Sequence, residues 1–214
     1  TLTAQGQFPV IIFGHGFLMD WNSYQNLWEE FVPNGYIMVF PTTEGDLLST
    51  DHQQFGWDLQ FLVNQIQSEG FNNNSPIYNA VDNNTALMGH SMGGGGTLYL
   101  GSKYPDLWAA IAPMAPAVFF DSSILMKMRS LPVYIVAGEN DLLVPVGSVR
   151  RWVARMKKLD MDYHYNEIKQ GDHNLSFTNN PAMISEIYDF FDEKQKKSSG
   201  LGNKRELRFF TNRK

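Results

Sequence analysis

The chain has 214 residues and 24.4 kDa, 43% apolar and 18% charged, enough for one substantial core and too apolar for a disordered chain. Its formal charge of -5 gives a nucleic-acid binder no global support, and no apolar run approaches the roughly 20 residues that cross a bilayer. The absence of cysteine excludes disulfides, thiolate metal sites and cysteine nucleophiles.

Pro9 to Phe13 is a continuous apolar run, as expected of a strand buried on both faces. Trp21 to Phe31 carries apolar residues at helical spacing, and Tyr36 to Phe40 reads as a second strand stopped by Pro41. Phe55 to Ile66 is again helical. The Asn-rich patch of Asn72, Asn73 and Asn74, with Asn79, Asn83 and Asn84 following, reads as a polar surface loop. Thr85 to Met88 is a short strand running into Gly89, and Ser91 to Lys103 continues as a helix. Ala109 to Met114 and Pro132 to Ala137 are strands, Val146 to Leu159 a helix, Asp162 to Ile168 a strand, and Pro181 to Phe191 a last helix. This alternation predicts an α/β fold, a mainly parallel sheet with helices on both faces.

The charge divides the chain. Residues 1–191, the expected folded domain, carry a net -10, whereas residues 192–214 form a basic C-terminal tail of net +5. The Lys-rich run into Ser198, Ser199 and Gly200 reads as a solvated end, with a docking role as the alternative.

The sharpest feature is Gly89-His90-Ser91-Met92-Gly93, a G-x-S-x-G match between a strand-like run and a helical run. A strand-to-helix turn this tight strains the central residue, and flanking glycines remove side chains that would collide. Ser91 is therefore the candidate nucleophile, and an ordinary serine needs a base. In this fold class the acid and then the histidine follow the serine. Only His164 and His173 lie beyond Ser91. His164 sits in an alternating strand, so His173, in the loop Gly171 to Asn174, is the candidate base. The loop after the Pro132 to Ala137 strand offers Asp141 as the acid, with Glu139 a close rival and Asp121 a distant one. An oxyanion hole would take the backbone N–H groups of Met92 and of Phe17, the latter in the Gly14-His15-Gly16-Phe17 loop. His15 and His90 read as hydrogen-bonding scaffold.

These residues resemble the α/β-hydrolase superfamily, and within it the bacterial polyester hydrolase and cutinase group, with chlorophyllase and platelet-activating-factor acetylhydrolase relatives. The resemblance runs from about Phe8 to Phe191. It rests on Gly16-Phe17-Leu18-Met19, the elbow through Gly96, Ala115-Pro116, Glu139-Asn140-Asp141 with Val144-Pro145-Val146, and Gly171-Asp172-His173. It implies an α/β-hydrolase fold, a Ser91–His173–Asp141 triad, Phe17 and Met92 as oxyanion donors, and a serine esterase acting outside the cell. Three positions depart from the group. Ala117 stands where a cleft-wall Trp is common, His90 where polyester hydrolases often have Trp, and the usual C-terminal disulfide has no cysteines. Eight residues precede Pro9, where the family has one or two further strands. The Tyr36 to Phe40 strand is then expected at a sheet edge, with Glu206 to Phe210 a candidate cover.

Only 17 residues separate Met114 from Pro132, too few for a sizeable cap. An open cleft is expected, with Phe17, Met92, Trp57, Ala117, Val118, Phe119 and Leu142 as wall candidates. It suits esters that are small, lipidic or polymeric. An acyltransferase or peptidase on the same triad, or an inactive binding protein, is the alternative. No cofactor is expected: Gly14-x-Gly16 lacks a third glycine, Gly93 to Gly96 lacks the Lys of a phosphate loop, and the five histidines form no H-x-x-x-H pair. A monomer without nucleic-acid partners completes the expectation.

Overall fold

A computed structural model describes residues 6–43, 52–174 and 180–194. Six parallel strands form one sheet: β1 (Phe8–Gly14), β2 (Ile37–Val39), β3 (Val81–His90), β4 (Ile111–Met114), β5 (Val133–Gly138) and β6 (Tyr163–Ile168), in the order β2-β1-β3-β4-β5-β6. The helices are α1 (Gln25–Phe31), α2 (His52–Phe71), α3 (Met92–Lys103), α4 (Val146–Lys158) and α5 (Pro181–Glu193).

The order explains the layers. The chain steps outward from β1 to β2, then reverses and steps the other way from β2 through β6. Right-handed crossovers therefore put α1 on one face and α2, α3 and α4 on the other. α5 returns to pack against α1, where Phe31, Tyr36, Tyr188 and Phe191 meet edge to face. With both faces covered, every residue of β1 and β5 is buried, which is why these strands read as unbroken apolar runs. The chain reverses direction between β1 and β3, and their carboxyl ends, Gly14 and His90, open onto the crevice where such sheets bind ligands.

Several boundaries differ from expectation. Asn83 and Asn84 lie inside β3, not in a loop, because β1 pairs with β3 back to Val81 across a bulge. The Trp21 to Phe31 stretch splits into a 3-10 turn, Trp21–Tyr24, and α1; Asp20 accepts the N–H groups of Asn22 and Ser23 and starts the tighter turn. Between β4 and β5 a 3-10 helix, Ser122–Met128, buries Leu125 and Met128. It packs against α3 and α4 and caps nothing. β2 stands at the sheet edge, and no described residue pairs with its outer side. The suggested cover, Glu206 to Phe210, and most of the basic tail lie outside the described residues. α5 itself runs to Glu193, past the expected domain limit at 191.

Candidate active site

Ser91 is the hinge between β3 and α3, with φ 55° and ψ -114°. That conformation is strained for a residue with a side chain and persists only where surroundings enforce it. Here they do. The Ser91 N–H donates to the Met114 carbonyl at 2.9 Å, and the Ser91 carbonyl accepts from Gly95 and Ala117, each at 2.9 Å. Glycines are obligatory around it. A Cβ on Gly93 would stand 2.0 Å from the Gly14 carbonyl oxygen, and one on Gly89 would stand 2.3 Å from that of Gly93. The first turn of α3 thus lies directly against the end of β1, and Gly93 N–H donates to the His15 carbonyl at 3.2 Å.

The structure brings Ser91, His173 and Asp141 into one line. Ser91 Oγ lies 2.9 Å from His173 Nε2, and His173 Nδ1 lies 2.7 Å from Asp141 Oδ2. Asp141 Oδ1 accepts the N–H groups of Leu143 and Val144, both at 2.8 Å. Burial alone would push the Asp141 carboxyl up; the His173 ring and these two N–H groups outweigh it and hold the carboxyl below its ordinary value. Gly138 lets the two loops meet, since a Cβ there would reach within 2.6 Å of the Gly171 and Asp172 carbonyl oxygens.

The rivals lie elsewhere. Glu139 is exposed and accepts the Gln170 N–H at 2.8 Å, while Asp121 caps Ser123. His164 stacks on Tyr134 at 4.6 Å, far along the sheet from Ser91. Met92 directly follows Ser91 and Phe17 lies in the loop after β1, and neither backbone N–H has an acceptor among the described residues.

One residue escaped sequence reading. Tyr24 counts there as one apolar position in a helical stripe. In the structure its buried hydroxyl accepts the Gly16 N–H at 2.9 Å and donates to His90 Nδ1 at 2.9 Å. His90 Nε2–H in turn donates to the His173 carbonyl at 2.8 Å. Burial pushes the Tyr24 phenol above its ordinary value and so keeps it protonated. The Gly16 loop and the His173 loop are therefore held to one another through two side chains. Only the unusual pairing of Tyr24 with the elbow histidine, 66 residues apart, carries that signal, and local periodicity does not contain it.

This arrangement predicts an acid-sensitive fold. His90 is fully buried, and burial first, then the neighbouring His173, lower its pKa from 6.5 to about 4. Its ring therefore binds a proton more readily in the unfolded chain than in the folded one. Stability is unaffected above the unfolded value and falls as pH drops from about 6.5 to about 4, by a total on the order of 3 kcal/mol. Urea midpoints across this range are expected to slope downward more steeply in the parent than in His90→Gln; equal slopes would assign the acid sensitivity to other groups.

A cavity of about 310 Å³ runs along α3 from Met92, the residue after Ser91. Met92 closes one end, Phe55 and Trp57 form one wall, Gly95 and Gly96 the floor, and Ala117, Phe119 and Phe120 the other wall. Of the wall candidates, Trp57, Met92, Ala117 and Phe119 line this cavity. Val118 packs against the core and is absent from the cavity lining. Phe17 and Leu142 also lie outside it, in loops following β1 and β5, where Leu142 is 92% exposed. No group of three or more potential metal ligands occurs among the described residues, and no described helix is long and apolar enough to cross a membrane.

Residues 1–209 match the family described as PET hydrolase-like. Cutinase est1 of Thermobifida alba is 30% identical over 144 residues, covering 66% of this chain and 45% of that protein. A bis(hydroxyethyl) terephthalate hydrolase of Streptomyces coelicolor is 26% identical over 198 residues, covering 90% and 60%. The chain spans about half the length of the curated relatives it matches. In structure it resembles a thermostable esterase, with a TM-score of 0.68 at 19% identity, covering 91% of this chain and 57% of the other. With its parallel sheet and serine elbow, the chain has an α/β-hydrolase fold and belongs to the PET hydrolase-like family.

Proposed function

We propose that the chain hydrolyses carboxylic esters through an acyl-enzyme on Ser91. The observation that carries this reading is the unbroken line from Ser91 Oγ to His173 to Asp141, at 2.9 and 2.7 Å, on a strained elbow. His173 Nε2 accepts the serine proton as Oγ attacks the ester carbonyl, and Asp141 stabilises the imidazolium that forms. The N–H groups of Met92 and Phe17 stabilise the tetrahedral oxyanion. As the intermediate collapses, the C–O bond to the alcohol breaks and His173 returns its proton to the departing oxygen. Water, deprotonated by the same imidazole, then releases the acid and restores Ser91.

The substrate side of the molecule favours apolar esters. Leu18, Phe119, Leu142 and Leu143 all lie in loops at the carboxyl ends of β1, β4 and β5, with Phe119 84% exposed. Such an exposed apolar rim around a cleft suits lipid or polymer esters presented at a surface. The resemblance to relatives named cutinase supports the same substrate class and a place outside the cell. A monomer suffices, because all three triad side chains come from one chain.

The test is direct detection of the intermediate. Mixing the protein with p-nitrophenyl butyrate is expected to release a burst of about one p-nitrophenol per chain, followed by slower turnover. Acid quenching should leave an acyl mass increment on the peptide containing Ser91. An increment on another residue, or multiple turnover with neither a burst nor a trapped adduct, would reject Ser91 as nucleophile.

A further inference from the structure

The cavity along α3 has a chemically distinct far end. It follows α3 from Met92 to Lys103, a length of about 16 Å at 1.5 Å rise per residue. Its walls are apolar, and space remains over Gly96, where an added Cβ would meet only Leu59 Cδ1 at 3.7 Å, whereas Gly95 lies hard against the Ala117 backbone. Lys103 closes the end away from the nucleophile. Its ammonium sits 5.7 Å from the Tyr99 ring centroid and 5.2 Å from that of Tyr104, and it pairs with no carboxylate among the described residues. The setting is unusual for this chain: Thr1 to Ser102 contains no lysine or arginine, and residues 1–191 carry a net negative charge. A single cation thus ends an apolar groove that begins at an oxyanion donor.

We propose that this groove seats an acyl chain ending in a carboxylate, with Lys103 as the residue that selects the charged end. The preferred substrates are then half-esters of long α,ω-dicarboxylic acids, or polyester fragments with a free acid terminus. This rests on the ester-hydrolase reading of Ser91. The carbonyl held at Met92 fixes one end of the acyl chain, and the span to Lys103 accommodates about twelve carbons. The rings of Tyr99 and Tyr104 hold the ammonium in place without neutralising it. Because the ion pair is exposed to solvent, its contribution is modest and falls with added salt.

Paired substrates test this. Mono-p-nitrophenyl esters of α,ω-dicarboxylic acids, from about six to about fourteen carbons, are compared with the same esters methylated at the far acid. The free-acid member is expected to have the higher kcat/KM by about three- to fivefold, with the ratio greatest near about twelve carbons. Lys103→Met should bring the ratio to one, Lys103→Arg should restore it, and about 0.5 M NaCl should diminish it. Gly96→Leu, whose Cβ meets only Leu59 Cδ1 at 3.7 Å, should fill the groove midway and penalise long esters relative to short ones.

A free-acid preference that survives in Lys103→Met, is missing from the parent, or follows a carboxylate placed on the alcohol portion instead would overturn the proposal. A second measurement is independent of turnover. Dodecanedioate and its monomethyl ester are titrated into Ser91→Ala by calorimetry, before and after adding Lys103→Met. Loss of discrimination on removing Lys103 supports the groove assignment even if no ester is cleaved, and equal binding of the two ligands in Ser91→Ala overturns it. Turnover of all esters without preference defeats only this inference, whereas discrimination in binding without an acyl adduct on Ser91 defeats only the hydrolase reading.

Discussion

Ser91→Ala is expected to lower kcat on p-nitrophenyl esters by about 10⁴- to 10⁶-fold. The loss follows from removing the only hydroxyl within hydrogen-bond reach of His173 Nε2 among the described residues, at 2.9 Å. On the proposed mechanism the residual rate would come from the Met92 and Phe17 N–H groups and from binding, which remain. The fold should survive the change, because alanine is strained at φ 55° to the same degree as serine and the three backbone hydrogen bonds at position 91 are independent of the side chain. Near-ultraviolet circular dichroism and the urea midpoint check that the variant is native. A native variant retaining more than about one tenth of the parent kcat would remove Ser91 from the reaction.

Asp141→Asn is expected to cost about 10³- to 10⁴-fold in kcat with little change in KM. The reason is tautomeric. The N–H groups of Leu143 and Val144 both point at Oδ1, so the amide oxygen of an asparagine would stay there and its NH₂ would face His173. His173 Nδ1 would then have to accept, leaving Nε2 protonated and unable to take the Ser91 proton. Glu139→Gln supplies the contrast, because Glu139 holds the Gln170 N–H and does not touch the imidazole. Its kcat should stay within about twofold of the parent. Equal losses in the two variants would show that the acid at position 141 acts only through loop structure.

Much of the fold was legible because its signals are local. Buried parallel strands leave continuous apolar runs, as in Val10 to Phe13 and Val133 to Ala137, and two-faced helices leave a repeating stripe, as in Val149, Trp152 and Met156 of α4. The misreadings share one cause. Asn83 and Asn84 look like loop residues, yet Val81 and Phe8 pair across the sheet and carry β3 through them. Val118 looks like a cleft residue from its place after β4, but it is absent from the cavity lining and packs against the core. In each case a non-local contact outweighed local preference.

The order of serine, acid and histidine along the chain, the glycines around position 91 and the shortness of the segment between β4 and β5 were all determined by the sequence alone, since each depends on residue identity and spacing. The meeting of Ser91, His173 and Asp141 in one line, with Glu139 and His164 turned elsewhere, and the tie from Gly16 through Tyr24 and His90 to His173 appear only in the tertiary structure. These depend on which groups meet across 8 to 83 residues of chain, and that is settled by strand order and loop packing rather than by any adjacent residue.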